Sequence, residues 1–297
     1  MKSIKIGFFG DGPWAHEALR ELIAETEIEI SFVCVRFDTP DPFLLQLAEH
    51  HKIPTHKLPN VNSEASLSLM SKYSADLFVS MSFNQIFRKG ILNLPLLGII
   101  NCHAGKLPFY RGRNIINWAL INGEKEFGIT VHQVDSGIDT GDILVQRTYP
   151  IDLKDDYGSL LRIAYTECAP LLVEAINQIR LGTSKPIPQK QISPVGTYFP
   201  MRILGDEFID WNQPSMDIYN FIRALAFPGP LAQSYLNDRV VKIKHAELVN
   251  EAPLFKGIPG SVIGVKENEL QVKTSDSLIL IKDYEANDRP RLGDRFK

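Results

Sequence analysis

Residues 4–37 read IKIGFFGDGPWAHEALRELIAETEIEISFVCVRF, and the order of patterns in this stretch decides the fold. IKIGFFG is a short apolar run, the mark of a buried strand, and it stops at a turn holding Gly10 and Gly12. AHEALRELIAETE then sets Ala18, Leu19, Leu22 and Ile23 at helical spacing, and ISFVCVRF is β-rich again. The alternation continues outward. DPFLLQLAEHHK and SEASLSLMSKY read as helices, ADLFVSM and LGIINCH as strands, with ITVHQVD and DILVQRTYPID after them. Strands alternating with helices at this spacing predict an α/β protein with a doubly wound, mostly parallel, Rossmann-like sheet. A long helix is expected over about residues 157–181, ending at Gly182.

Residues 183–200, TSKPIPQKQISPVGTYFP, are proline-rich and aperiodic, which reads as a linker or an extended arm. Beyond them come a helix over about residues 214–226 and five short β-like runs: LAQSYL, RVVKIKHAELV, GSVIGV, ELQVKT and SLILIKDYE. These predict a small β-rich second domain, a barrel or sandwich. The expected division is 1–200 and 205–297.

At 297 residues, 44% hydrophobic and 23% charged, the chain has the composition of a soluble globular protein with ample core. No apolar run approaches the ~18 residues of a membrane helix, and the N-terminal stretch lacks the features of a signal peptide, so a cytoplasmic protein without a membrane partner is expected. Cys34, Cys102 and Cys168 are scattered and odd in number. They form neither a zinc pattern nor a disulfide framework, and no metal is expected. Net charge is −3 with no basic cluster, which predicts no nucleic-acid partner.

Two strand ends carry candidate chemistry. The first, Gly10-Asp11-Gly12-Pro13-Trp14-Ala15, matches G-x-G-x-x-A, in which glycines let a dinucleotide phosphate approach a helix N-terminus. The acidic residue after the second strand, Asp38, comes later than the usual spacing of about 20 residues, and Trp14 would crowd a pyrophosphate. Gly10, Gly12 and Trp14 are therefore read as shaping a cleft for another ligand.

The second is NCHAGKLPFYRGRN, residues 101–114, at the end of the apolar run LPLLGII. In an open α/β sheet, ligands bind beyond the carboxyl ends of the strands, and alternation puts Asn101 and His103 on one side. An amide can donate to a developing oxyanion, and an imidazole exchanges protons near neutral pH. The later loop VDSGIDTGDI crowds Asp135, Asp139 and Asp142 beside glycines, offering a carboxylate to orient the imidazole.

N-x-H followed by LPxYRG, then D-x-G-x-D-T-G-D about thirty residues later, resembles the folate-dependent formyltransferase family. The likeness extends to about residue 212 through FIDWNQP, with a looser resemblance of the remainder to the family's OB-like domain. The resemblance implies a triad of Asn101, His103 and Asp139 and 10-formyltetrahydrofolate as co-substrate. A primary amine would attack the formyl carbon, giving an oxyanion that Asn101 and protonated His103 stabilise. Neutral His103, or Asp139 through water, would take the amine proton; both routes stay open. The pterin would lie against Ser82, Phe83, Asn84, Ile86 and Phe87 and against the loop holding Asp135 and Ile138. For Phe83, Ile86 and Phe87, ordinary helix-start packing is the competing reading.

The acceptor is read from departures. Many members carry HxSLLP where this chain has His103-Ala104-Gly105-Lys106-Leu107-Pro108, which adds a charge at Lys106. The tRNA-active branch resembles itself in a basic insertion after the second strand and a basic C-terminal domain. Here VRFDTPDPF fills the first place, and residues 205–297 hold 12 lysines and arginines against 14 aspartates and glutamates. The expected acceptor is thus a nucleotide-linked amino sugar of surface polysaccharide synthesis. Lys106, Tyr110, Arg111, Arg113 and Asn114 would meet it, in a homodimer like those of sugar-active relatives. Methionyl-tRNA is the alternative.

Overall fold

The computed structural model describes residues 3–297. In chain order, β1 (Ile4–Gly10), α1 (Gly12–Ala24), β2 (Ile28–Val35), α2 (Pro42–His50), β3 (Thr55–Lys57), α3 (Glu64–Ser71) and β4 (Leu77–Met81) come first. Then follow α4 (Lys89–Leu92), β5 (Ile99–His103), β6 (Arg111–Gly112), α5 (Ile115–Ile121), β7 (Glu126–Gln133), β8 (Ile143–Pro150) and α6 (Tyr157–Leu181). After α7 (Gln189–Ile192) and β9 (Tyr198–Phe199) come α8 (Ser215–Ala224), β10 (Ala232–Leu236), β11 (Arg239–Leu248), β12 (Val262–Lys266), β13 (Glu269–Lys273) and β14 (Leu278–Glu285).

The chain forms two compact units. The first holds the residues up to Gly112 with Phe127–Tyr149 and Arg162–Phe199. Its sheet runs β3-β2-β1-β4-β5-β7-β8. The pairs β1–β2, β1–β4, β2–β3 and β4–β5 are parallel, and β7 lies antiparallel to β5. All five residues of β4 are buried, as a two-sided sheet requires. One face packs Phe9, Phe32 and Phe78 edge-on to one another over Val61, Met70 and Ile91. The helices start where the sequence offers caps: Asp41 accepts from Leu44 N at α2, and Ser63 from Ser66 N at α3. Gly182, at φ +68°, stands just past α6 in the position that favours glycine.

The second unit gathers Arg113–Glu126 and Pro150–Leu161 with Pro200–Lys297. Its sheet is antiparallel, ordered β10-β11-β14-β13-β12. Its buried residues Val241, Ile243, Ala246, Leu270, Val272, Ile279 and Ile281 form one core with Ile218 and Ile222 of α8 and with Leu225 just past that helix. The arm at residues 183–200 is more than a spacer: it holds α7, and β9 pairs in parallel with β6. Among the described residues, no helix is long and apolar enough to cross a membrane.

Candidate active site

Asn101 and His103 end β5, and the β5–β7 register places His132 opposite Asn101. The loop between β7 and β8 is built by its own motif. Asp135 Oδ1 accepts from Gly137 N (3.0 Å) and from the Thr140 hydroxyl. A Cβ on Gly141 would lie 1.9 Å from the Gln133 carbonyl, so only glycine passes there. The turn aims Asp139 back at the strand ends. Asp139 Oδ2 accepts from Gly112 N (2.9 Å) and stands 3.7 Å from His103 Nδ1, while Oδ1 stands 3.5 Å from His132 Nε2. Asn101 Nδ2 lies 3.3 Å from the same His132 nitrogen. The three residues singled out from sequence therefore meet around one carboxylate, with His132 as a fourth member.

Proton states follow from partners. His103 Nε2 is 2.7 Å from the Tyr110 carbonyl, which can only accept, so Nε2 carries the proton and Nδ1 is the nitrogen facing Asp139. Gly105 makes that bond possible, since a Cβ there would sit 2.5 Å from both His103 Nε2 and the Tyr110 oxygen. Burial pushes the His103 imidazole below its usual range, against the opposing pull of Asp139 and the Tyr110 carbonyl. Burial alone would raise the Asp139 carboxyl. Once protonated at acid pH, His103 and His132 reverse that together with the Gly112 N–H, and hold it well below the carboxylate range. The resting site is a neutral imidazole beside an ionised carboxylate.

Gln189, like His132, is a residue that the sequence reading missed. It is 3% exposed, its Nε2 donates to the carbonyls of Asp139 and Gly141 (both 2.8 Å), and its Oε1 accepts from Arg111 Nε (3.0 Å) and NH2 (2.6 Å). Arg111 is thereby tied to the β7–β8 loop through the arm. Tyr110 stacks on Phe199 and serves His103 by its backbone. Lys106 is half-buried beside Gly128. Arg113 and Asn114, both exposed, fall in the second unit, where Asn114 Oδ1 accepts from Arg202 N (2.9 Å).

Of the residues expected to meet the pterin, Phe83 and Phe87 stack on each other and both pack edge-on to Phe9. Ile86 and Ile138 are exposed, as are Ser82 and Asp135. Asn84 Oδ1 is buried without a hydrogen-bond partner, an orphan acceptor suited to the N–H donors of a pterin. The residues present fit the group. At the other strand end, Gly12 N donates to Asp41 Oδ2 (2.9 Å), and Asp11 pairs with Arg36. Carboxylates thus occupy the helix N-terminus that a dinucleotide would need. Trp14 packs edge-on to Tyr165, and a Cβ on Gly10 would strike Ala15 at 2.7 Å, so this turn is close-packed.

These features meet a family. Residues 4–176 match the model of the formyl transferase domain and residues 204–293 that of the formyl transferase C-terminal domain. The chain is 33% identical to a methionyl-tRNA formyltransferase of Pelobacter propionicus, over 98% of this chain and 92% of that one. It is 36% identical to the methionyl-tRNA formyltransferase of Halalkalibacterium halodurans, over 97% and 92%. An N-formyltransferase from Helicobacter canadensis, solved with folinic acid and dTDP-3-aminofucose, superposes with a TM-score of 0.70 over 95% of this chain and 100% of that one, at 24% identity. This chain belongs to the formyl transferase family, whose formyl donor is 10-formyltetrahydrofolate.

The comparisons correct two expectations: the nucleotide-linked amino sugar as acceptor and the exclusion of a nucleic-acid partner. The full-length relatives at 33–36% identity carry the tRNA-enzyme name, whereas the sugar-bound structure shares the fold at 24%. The charge argument failed for a physical reason. A phosphate feels cations within about 10 Å, so a sum over 93 residues averages away the surface that matters. Much of that sum is internal pairing, as in Lys244 with Glu285, Lys282 with Glu269 and Arg239 with Asp288.

Proposed function

We propose that this chain is a methionyl-tRNA formyltransferase, transferring the formyl group of 10-formyltetrahydrofolate to the amino group of methionine on its tRNA. Identity spanning both domains at 33–36% with enzymes of that name carries the reading. A cytoplasmic setting is part of this reading. The folate supplies, when bound, an electrophilic formyl carbon.

The chain's own residues do the rest. Asn101 Nδ2 donates to negative charge developing on the formyl oxygen. His103 is neutral at rest, and with Nε2–H on Tyr110 its basic atom is Nδ1, on the Asp139 side. The amine proton therefore arrives at Nδ1, and the imidazolium forms 3.7 Å from an ionised carboxylate. His103 returns a proton to the departing folate nitrogen. Asp139 stays charged throughout, held by Gly112 N and by Gln189 on its backbone.

Incubation of the purified chain with 10-formyltetrahydrofolate and methionyl initiator tRNA should give N-formylmethionyl-tRNA with equimolar tetrahydrofolate. Donor consumption with an unformylated tRNA would overturn the assignment.

A further inference from the structure

His132 has no role in the chemistry described above, yet it is the most enclosed polar side chain of the site, 2% exposed. A buried imidazole is unfavourable unless both nitrogens are satisfied, and an apolar residue would fill the same space more cheaply. The two nitrogens are satisfied in different ways. Nδ1 is 2.7 Å from the Gln133 carbonyl, which only accepts, so Nδ1 carries the proton. In the neutral ring, Nε2 is then a lone pair.

That lone pair has two neighbours: Asn101 Nδ2 at 3.3 Å and Asp139 Oδ1 at 3.5 Å. Of these only the amide nitrogen can donate. Turning the amide over would bring its oxygen against the ring lone pair and the carboxylate, converging three acceptors on one point. The orientation of Asn101 is fixed from behind. We propose that His132 is a positioning residue of formyl transfer: its Nε2 accepts from Asn101 Nδ2, and so decides which end of that amide meets the formyl oxygen. The inference rests on the triad reading and is independent of which amine accepts the formyl group.

The experiment has a spectroscopic and a kinetic arm, both on the full chain. With ¹⁵N-labelled histidine, and His132→Gln to assign the signal, the His132 ring should show its proton on Nδ1 and a hydrogen-bonded lone pair at Nε2. An imidazolium, or a proton on Nε2, would overturn the proposal.

In formyl transfer, His132→Gln keeps an acceptor where Nε2 stood and should hold kcat within about threefold. His132→Leu should lower kcat about tenfold, the size of one orienting hydrogen bond, with KM for the folate unchanged. In an Asn101→Ala background, His132→Leu should add no further loss. A second tenfold loss there, or a Gln variant as slow as the Leu variant, would make His132 a packing residue only. If His132→Leu does not fold, His132→Asn supplies the same contrast, since it keeps a donor at Nδ1 but no acceptor at Nε2 and should be slow beside the Gln variant. Full activity of Asn101→Ala would remove the triad reading itself, an outcome separate from the others.

Discussion

The carboxyl ends of β1 and β5 look alike in sequence: each is an apolar run that breaks into glycines and polar residues. In space they differ. At the β1 end, the polar groups are closed on one another. Asp41 accepts from Gly12 N, His16 Nε2 and Leu44 N at 2.8–3.0 Å, and Arg36 joins Asp11 and Asp38. At the β5 end, Asn101, His132, His103 and Asp139 stand 3.3–3.7 Å apart, at or beyond normal hydrogen-bond length. The first arrangement is satisfied and holds two helix starts together. The second leaves an acceptor, a donor and a charge facing common space, which is what a proton-transfer site needs before its substrate arrives.

Substitutions can break this contrast. The largest of three expected effects is at Asp139. Asp139→Asn removes the charge that stabilises the imidazolium and should lower kcat about 10²-fold or more, within the range of a positioned acid–base partner. The pH profile adds a sign. His103 must be neutral to accept a proton, so the wild-type acid limb should lie below the ordinary histidine value of 6.5. Asp139 pulls that value up, so the Asn variant should show its limb at still lower pH. An unmoved limb would mean that His103 does not titrate there.

Stability carries its own signs. Asp139, depressed in the fold, contributes stability above the ordinary carboxylate value, lost as pH falls through its lower folded value. His103, also depressed, makes stability rise with pH up to the unfolded histidine value, because the unfolded chain takes its proton first.

Gln189→Leu comes next. It leaves the Asp139 and Gly141 carbonyls and the Arg111 guanidinium unpartnered, so unfolding free energy should fall by about 2–3 kcal/mol and kcat by about tenfold. Denaturant titration beside kinetics separates the two, and loss of stability without loss of rate would make the arm a mere strap. The smallest effect belongs to the β1 end. Asp41→Ala deletes a helix cap and two further bonds, which should cost about 1–2 kcal/mol in denaturation while kcat stays within twofold.

Most of the architecture was legible because it is periodic. The helical spacing of Ala18, Leu19, Leu22 and Ile23 lies within α1, the long helix ends before Gly182, and each of the five C-terminal β-like runs coincides with most or all of a strand. The fold of the site loops was legible because the spacing of Asp135, Gly137, Asp139 and Gly141 is dictated by one tight turn. Gln189 was hidden because its importance is a contact fifty residues away from Asp139, in a stretch with no period to read. His132 was hidden for a different reason: on an apolar strand its side chain looks like core until the register sets it opposite Asn101. The acceptor was misread because formal charge belongs to a composition, while recognition belongs to a surface.

The central claim is that formyl transfer runs at the β5 end, through His103. The most direct test compares single-turnover transfer from 10-formyltetrahydrofolate to methionyl-tRNA in folded His103→Ala and Asp41→Ala. The account predicts a loss of roughly 10²–10⁴-fold for the first and less than twofold for the second. Equal losses at the two positions, or a His103→Ala variant that transfers at wild-type speed, would contradict it.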